Sequence, residues 1–542
     1  MAREAPGSDP TLTWQTFRDF TGGLYERGSD RDVPPNGLTR LDDAIPMPAG
    51  GLQPAPVWTV RVDTTTPGSS AGITPSTGHM LLGFDVFSNA GPATSAVQWT
   101  WMMLGQQSSY VADQQVWLSR SSAPPAFNAF TTIRNHTSVL DRTPIRFVQF
   151  AHSTFGPPEL NHYYHLPLAP AAQTGVWKVD SVTLGVTQIS TANTFYLATH
   201  QARLIAVYQG AYTGAFAGLH DVIGFSDDGT DNNLGSTANQ FTLAANRPDD
   251  VVYVQSRMPG DLVFLKRGAG WFTLQGAMAI QPVVYEAARV HPSQDISFGV
   301  ETPFGLAYLT RDEGVWAFTG GQQPGHMSSQ FEGTPMTSAV WSIASSRNAS
   351  PFLGQPAFGG HYFPTPRGYV MDTETQSWYR ATQLADEPAW GFFTYDETNG
   401  QLYAARNTTA GGIQVRTMSV NEQTTPRSTA YMFEVPVLNV DAFTVVPAEL
   451  EFYLELTSPG PAQLEVAIIH PMPGTADTTV NLAPVVLGQS RHQTVRVKLP
   501  FAAGGVQWFK VRPILRSLGP QEAPTLAYFR VGTRPGAPVP VS

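Results

Sequence analysis

The residues best placed to do chemistry are the oxygens of SDDGTDNN, residues 226–233, the most acidic loop in the chain. Carboxylates and amides at such spacing suit a hard cation such as calcium. The pattern lacks a glycine at the sixth loop position and a closing bidentate glutamate, which a helix–loop–helix calcium site requires. The loop therefore reads as a polar turn, with a cation site as the alternative. LNHYYHLP places His162 and His165 three residues apart. On a strand that spacing puts them on opposite sides, whereas a metal needs its ligands to converge. Both are expected to be structural.

Two carboxylates of glycosidase type can come from anywhere in a chain. The adjacent acids Asp42/Asp43, Asp249/Asp250 and Asp312/Glu313 all sit in turn contexts. No G-x-S-x-G, G-x-x-x-x-G-K-[ST] or H-E-x-x-H pattern occurs. No catalytic, cofactor-binding or metal residue is assigned, no cofactor is expected, and the chain is expected not to be an enzyme. Asn135, Asn348 and Asn407 begin glycosylation sequons. Without an export signal they read as chance matches.

Composition limits the scaffold that holds these groups. At 542 residues, 42% hydrophobic and 11% aromatic, the chain is not disordered and can bury a large core. Only 14% of residues are charged, while Gly (49) and Pro (45) are abundant, which favours short strands and turns over exposed helices. Cysteine is absent, which excludes disulfides, thiolate metal sites and a cysteine nucleophile. The net charge of -10 opposes gripping nucleic acid by its phosphates, yet suits a conduit through which DNA slides. Only Lys178, Lys266, Lys498 and Lys510 are lysines; the arginine excess points to a GC-rich genome. MAREAPGSDP is no signal peptide, and no apolar run is long enough to span a membrane.

Short runs rich in Val, Ile, Phe, Tyr and Trp recur from 76 to 425, among them HMLLGFDVF, IRFVQF, DLVFL, GVWAFTG and GFFTYD. Several pair as hairpins. LVFLKRGAGWFTL and LAYLTRDEGVWAF turn at glycines, and Asp372/Thr375 and Asp396/Asn399-Gly400 supply turn chemistry. Trp271, Trp316 and Trp378 follow their turns at similar places. A hairpin repeat of roughly 40–60 residues suits four-stranded propeller blades, about six or seven of them. From 430 to 542, strict alternation in LEFYLEL, Leu464–Ile468 and Val495–Leu499 predicts half-buried antiparallel strands. The fold class is therefore all-β: a β-propeller (76–425), an irregular N-terminal arm (1–75) and a C-terminal β-sandwich-like domain (430–542). NEQTTPRST is its linker and GTRPGAPVPVS an extended tail. TSAVWSIASS (337–346) could form a short helix.

The arm is either a functional extension or is packed over the main body; Phe17, Phe20, Leu24, Leu38, Leu41 and Ile45 would anchor it. Its run F-x-x-F-T-G-G-L, then D-R-D-V-P-P-N-G-L-T-R-L-D-D-A-I-P, then G-G-L-Q-P-A, resembles the opening of tailed-phage virion proteins. The family it resembles is the tail nozzle, or tail tubular protein B, of short-tailed phages. That resemblance implies a structural virion protein made in the host cytoplasm and located in the tail. It implies a homo-hexameric ring below the head-to-tail adaptor that seats tail fibres or spikes. Double-stranded DNA would be retained by it, then pass through its lumen without sequence-specific binding. Phe17, Phe20, Gly22, Gly23, Leu24, Pro34, Pro35, Asn36, Leu38 and Leu41 become candidates for an arm that locks onto a neighbour. Deleting residues 1–58 would then leave a folded propeller that cannot assemble. The alternative is a receptor- or carbohydrate-binding propeller at the tail tip, and the third reading is a cell-envelope hydrolase. S-x-D-x-G-x-T-W, the Asp-box of sialidase-type propellers, is matched only by Ser226, Asp228 and Thr230.

Overall fold

The computed structural model describes residues 11–26, 32–63, 79–89, 98–107, 114–121, 130–137, 145–152, 159–166, 172–208, 222–243, 251–257, 260–266, 270–274, 276, 284–288, 296–310, 314–320, 323–331, 355–385, 390–408, 412–421, 425–438, 443–456, 460–471, 477–501 and 506–538. The candidate helix at 337–346 and the pairs Asp249/Asp250 and Asp312/Glu313 fall wholly or partly outside them.

Apolar runs of strand length, broken by turn residues, make one antiparallel sheet after another. Among the described residues five sheets have four sequential strands each, running from His79 to Asn89 in the first to Gly325–His326 in the fifth. A sixth begins with Tyr362–Pro364, Tyr369–Asp372 and Ser377–Arg380. A seventh holds Phe392–Asp396, Gln401–Asn407 and Ile413–Ser419. Each of these seven sheets packs on the next. Phe150 and Tyr163 of the second meet Leu204 and Tyr208 of the third. Trp271 of the fourth stacks on Phe318 of the fifth at 4.8 Å. Phe392 and Tyr403 of the seventh share a core with Leu81 and Phe84 of the first. The sequence of sheets thus closes on itself, and the described residues form a β-propeller of seven blades. Trp271, Trp316 and Trp378 all stand on the third strand of their blades.

The arm supplies what the last two blades lack. Arg40–Asp42 lies beside Ser377–Arg380 as the fourth strand of blade six. Thr59–Asp63 pairs with Gln414–Thr417 as the fourth strand of blade seven. Phe20, Leu24, Leu38, Leu41 and Trp58 are all buried in the core shared with these blades. Of the two readings of the arm, packing over the body describes these residues.

Blade six does not end at Arg40–Asp42. Its sheet continues through Ala430–Glu434, Lys510–Ser517 and Ala462–His470, nine strands in all. The last of these form one layer of the C-terminal sandwich. The other layer runs His492–Lys498, Phe443–Glu455 and Thr525–Pro538, and is extended by Leu52–Pro54 and Ala44–Pro46. Thr13–Phe17 pairs with the same long strand, Phe17 opposite Phe529. Leu450, Phe452, Leu454 and Phe529 face Leu464, Val466, Ile468 and Leu515 across the core. Each such side chain contributes about 1.5–3 kcal/mol by leaving water. The alternation read from the sequence is the alternation of these two faces.

The expected extended tail needs correction. Thr525–Pro538 is one strand, paired with Phe443–Glu455 as far as Pro538 opposite Phe443. Prolines withhold a donor from a ladder, and the register shifts at Phe443/Val445 and at Pro447/Glu449 where the prolines lie.

Candidate functional site

Among the described residues, the outer face of the long C-terminal sheet gathers a row of aromatic and arginine side chains. Period-two alternation sends Glu449, Glu451, Tyr453 and Glu455 outward from one strand. Pairing sets Tyr453 opposite Tyr528, and Glu451 opposite both Arg530 and Arg496. The Tyr453 and Tyr528 rings stack with centroids 5.3 Å apart and planes 3° apart. His492 continues the stack 6.2 Å from Tyr453, and the Arg18 guanidinium lies 4.9 Å from the Tyr528 ring. A ladder of three rings and one cation therefore crosses four strand positions.

A second row runs beside it. Arg496 Nε donates to Glu451 Oε2 at 2.9 Å, and Arg530 Nη2 donates to Oε1 at 2.6 Å. Trp14 stacks against the Arg530 guanidinium at 4.8 Å. Glu451 is 0% exposed, although its strand position faces solvent. Trp14 reaches this place because residue 532 is glycine: a Cβ there would meet the Trp14 ring at 3.1 Å. Burial of the acid between two arginines fixes both guanidinia, and a desolvated cation–π contact adds up to about 2 kcal/mol.

A separate polar cluster lies on the propeller axis. Arg146, just before blade two, donates to Gln255 Oε1 of blade four at 2.9 Å and to the Gly299 carbonyl at 3.4 Å. Blades two and four are not neighbours, so this contact crosses the interior of the ring. Asp85, on the first strand of blade one, accepts from Phe147 N–H at 3.1 Å and from Gln355 Nε2 at 2.9 Å. Burial pushes the Asp85 carboxyl up to about 6 against the opposing pull of the Arg146 charge and these hydrogen bonds. Gln355 is bridged in parallel to Phe392, so Arg146, Asp85 and Gln355 fasten blades one, two, four and seven to one another. Asp85 was missed by motif reading; a lone acid inside HMLLGFDVF was its signal.

The residues singled out in the sequence have the following places. In the 226–233 loop, Asp227 accepts from Asn233 and Asn239 amides at 2.7 and 2.8 Å. Asp231 pairs with Lys178 at 2.9 Å and accepts from Tyr163 at 2.9 Å. The loop's acids thus tie the loop to itself and to blade two. His162 stacks on Phe87 of blade one at 4.7 Å, while His165 Nδ1 lies 3.1 Å from the Thr194 carbonyl of blade three. They point apart, as their spacing required. Burial holds His165 down to about 4. Asp42 pairs with Arg40, and Asp43 accepts from Thr382 N–H at 2.9 Å.

His361, Asp372 and Glu374 bring three potential metal ligands within 4.8 Å of one another. Both Asp372 oxygens are engaged in the hairpin turn, by Glu374 N–H at 3.1 Å and by the Thr375 hydroxyl at 2.8 Å. The Asp396 turn repeats this arrangement with Thr398 and Asn399. The shared geometry is that of a turn.

The candidate arm residues are used inside this chain. Gly23–Leu24 pairs in parallel with Gly37–Leu38. Gly22 lies so close to Asn36 that a Cβ would approach its carbonyl oxygen to 2.8 Å. Phe17, Phe20, Leu24, Leu38 and Leu41 are buried in the chain's own core, Pro34 is half-buried and Pro35 exposed at the Pro34–Gly37 turn. Phe17 and Phe20 both stack on Phe529. The expectation that deleting 1–58 leaves a folded propeller is therefore corrected: that segment holds the fourth strand of blade six and abuts that of blade seven.

No protein-family model and no curated protein matches the chain. Among solved structures it is similar to YCF48 bound to a D1 peptide, at 12% identity and TM-score 0.36, over 66% of this chain and 99% of that one. It is also similar to an exo-β-1,3-galactanase from Phanerochaete chrysosporium with galactose, at 10% identity and TM-score 0.25, over 88% of this chain and 100% of that one. The second likeness, to a glycoside hydrolase, corrects the expectation that the chain is not an enzyme, and that expectation is withdrawn. At these scores neither likeness assigns an activity. The propeller rests on the closed order of the blades. No helix among the described residues is long and apolar enough to cross a membrane.

Proposed function

We propose that this chain is a carbohydrate- or receptor-binding propeller protein that recognises its target with the outer face of its C-terminal sheet. The observation that carries the reading is the stack of Arg18, Tyr528, Tyr453 and His492 beside Trp14. Aromatic rings and arginines are the side chains that recognition surfaces concentrate, because they offer large contact areas at low entropic cost. Here they are pre-ordered by a rigid sheet, so binding spends little on ordering them. The test is binding of the purified protein to bacterial envelopes and to a glycan array, beside Trp14→Ala and Tyr453→Ala variants. Target binding that both variants weaken supports the reading. Blank arrays and envelopes refute it.

The resemblance of residues 17–55 to phage virion openings supports placing this protein in a phage tail. Phe20, Gly23 and Leu38 are buried, with Gly22 packed close against Asn36, which gives that run a packing role in this chain. Imaging of the native particle separates two positions. A six-fold ring around a central channel supports a nozzle below the head-to-tail adaptor, through which DNA passes. Single copies or trimers on the periphery support the receptor-binding position.

A further inference from the structure

We infer that the outer face of the C-terminal sheet takes a glycan that carries carboxylates. The inference rests on the binding reading above and names the ligand class. Residues 430–542 contain eight acids and eight bases, whereas the whole chain has 42 and 32. The entire excess of ten acids therefore lies in residues 1–429, and the C-terminal sandwich is the unit that does not repel an anion.

Within the sandwich the outer face is positive. Its three acids are each matched across the ladder: Glu449 lies opposite Lys498, Glu451 binds Arg496, and Glu455 pairs with Arg491 at 3.0 Å. Glu451 is shared by Arg496 and Arg530, so one positive charge remains there, and exposed Arg18 adds a second. Arg530 and Arg18 each lie against an aromatic ring, Trp14 and Tyr528 respectively. A guanidinium presents paired N–H donors that match the two oxygens of a carboxylate, which an ammonium does not. An aromatic ring beside it offers an apolar surface for a sugar's C–H groups. Arg18 is exposed, so its donors are open to a ligand while Tyr528 holds the plane of the group. A neutral sugar would use the rings alone and leave the positive charge without a role. Nucleic acid would also be repelled by the acid excess of residues 1–429.

The experiment measures binding to polygalacturonate and to its fully methyl-esterified form, which keeps the backbone and removes the charge. Polyglutamate and double-stranded DNA are the comparison polyanions. The expected result is binding to polygalacturonate that weakens with added salt, with at least roughly tenfold weaker binding to the ester. Arg18→Gln, an exposed change outside the core, is expected to lower affinity for the acid form by about tenfold and for the ester by less than about threefold. Equal binding of acid and ester overturns this inference while leaving glycan recognition standing. Polyglutamate or DNA bound as tightly as polygalacturonate overturns the glycan assignment. Absence of binding to every probe by a protein that still binds envelopes also overturns it. Absence of envelope binding sinks the functional reading as well.

Discussion

Replacing Asp85 with asparagine tests the axial cluster directly. The carboxyl is buried, and burial raises it from 3.8 to about 6. A group whose folded value lies above its unfolded value favours folding while protonated. Its contribution is fully present below about pH 3.8 and is lost as pH rises through about 6. The difference of about two units corresponds to about 3 kcal/mol of ionisation penalty at pH 7. A neutral amide at this position carries no such penalty. Its oxygen can keep the Phe147 N–H bond, and its NH₂ group can donate to Gln355 Oε1, a buried oxygen without a hydrogen-bond partner among the described residues. The assay is urea denaturation of both proteins from pH 4 to pH 7.5. We expect Asp85→Asn to gain on wild type by about 2–3 kcal/mol across that range, most of it between pH 4 and 6. A gap independent of pH would refute the reasoning: Arg146 would then outweigh burial, and the cluster would be an ordinary ion pair. Infrared difference spectra provide a second readout, a protonated carboxyl band in wild type at pH 5 that Asp85→Asn lacks.

Three further outcomes follow from packing. Gly23 has φ +62, and a Cβ there would stand 2.7 Å from Trp378 N, so Gly23→Ala is expected to cost at least about 2 kcal/mol and to lower the thermal midpoint. Glu451→Gln leaves Arg496 and Arg530 without their shared charge, which is expected to cost about 3 kcal/mol in urea denaturation. Restoration of stability by also replacing Arg496 with Gln would identify the loss as electrostatic. Deleting residues 11–63 removes the fourth strands of blades six and seven and three strands of the sandwich. The truncated chain is expected to be insoluble or rapidly proteolysed, and a soluble chain with cooperative unfolding would contradict that.

Much of the propeller was legible because its information is local. A run such as DLVFLKRGAGWFTL contains both strands of a hairpin and the glycines that let it turn, so Asp261–Lys266 and Gly270–Leu274 pair as read. LEFYLEL likewise announces its inner and outer faces. What could not be read is where a short strand goes when its partner is hundreds of residues away. Thr59–Asp63 looks no different from a loop until Ile413–Ser419 stands beside it. The face proposed for recognition was hidden for the same reason. Alternation assigns Glu451 to solvent, yet Arg496, Arg530 and Trp14 cover it from three other segments. Asp85 illustrates a weaker failure: its apolar run marked it as unusual, but only Gln355 and Arg146 explain why it is tolerated.

The distant pairing of the N-terminal strands also sets a timetable. Thr13–Phe17 finds its partner only in Thr525–Pro538, near the other end of the chain. At a synthesis rate of 5–20 residues per second, roughly 25–100 s separate the emergence of the two. Thr59–Asp63 waits for Ile413–Ser419 in the same way, so the strand that completes blade seven stays unpaired until most of the chain is made. Blades one to five draw on neighbouring strands and can form in order as they appear. During that interval Phe17, Phe20, Leu24 and Leu38 have no core to enter, which makes the opening segment the part of the nascent chain most exposed to chaperones, proteases and mispairing with another copy.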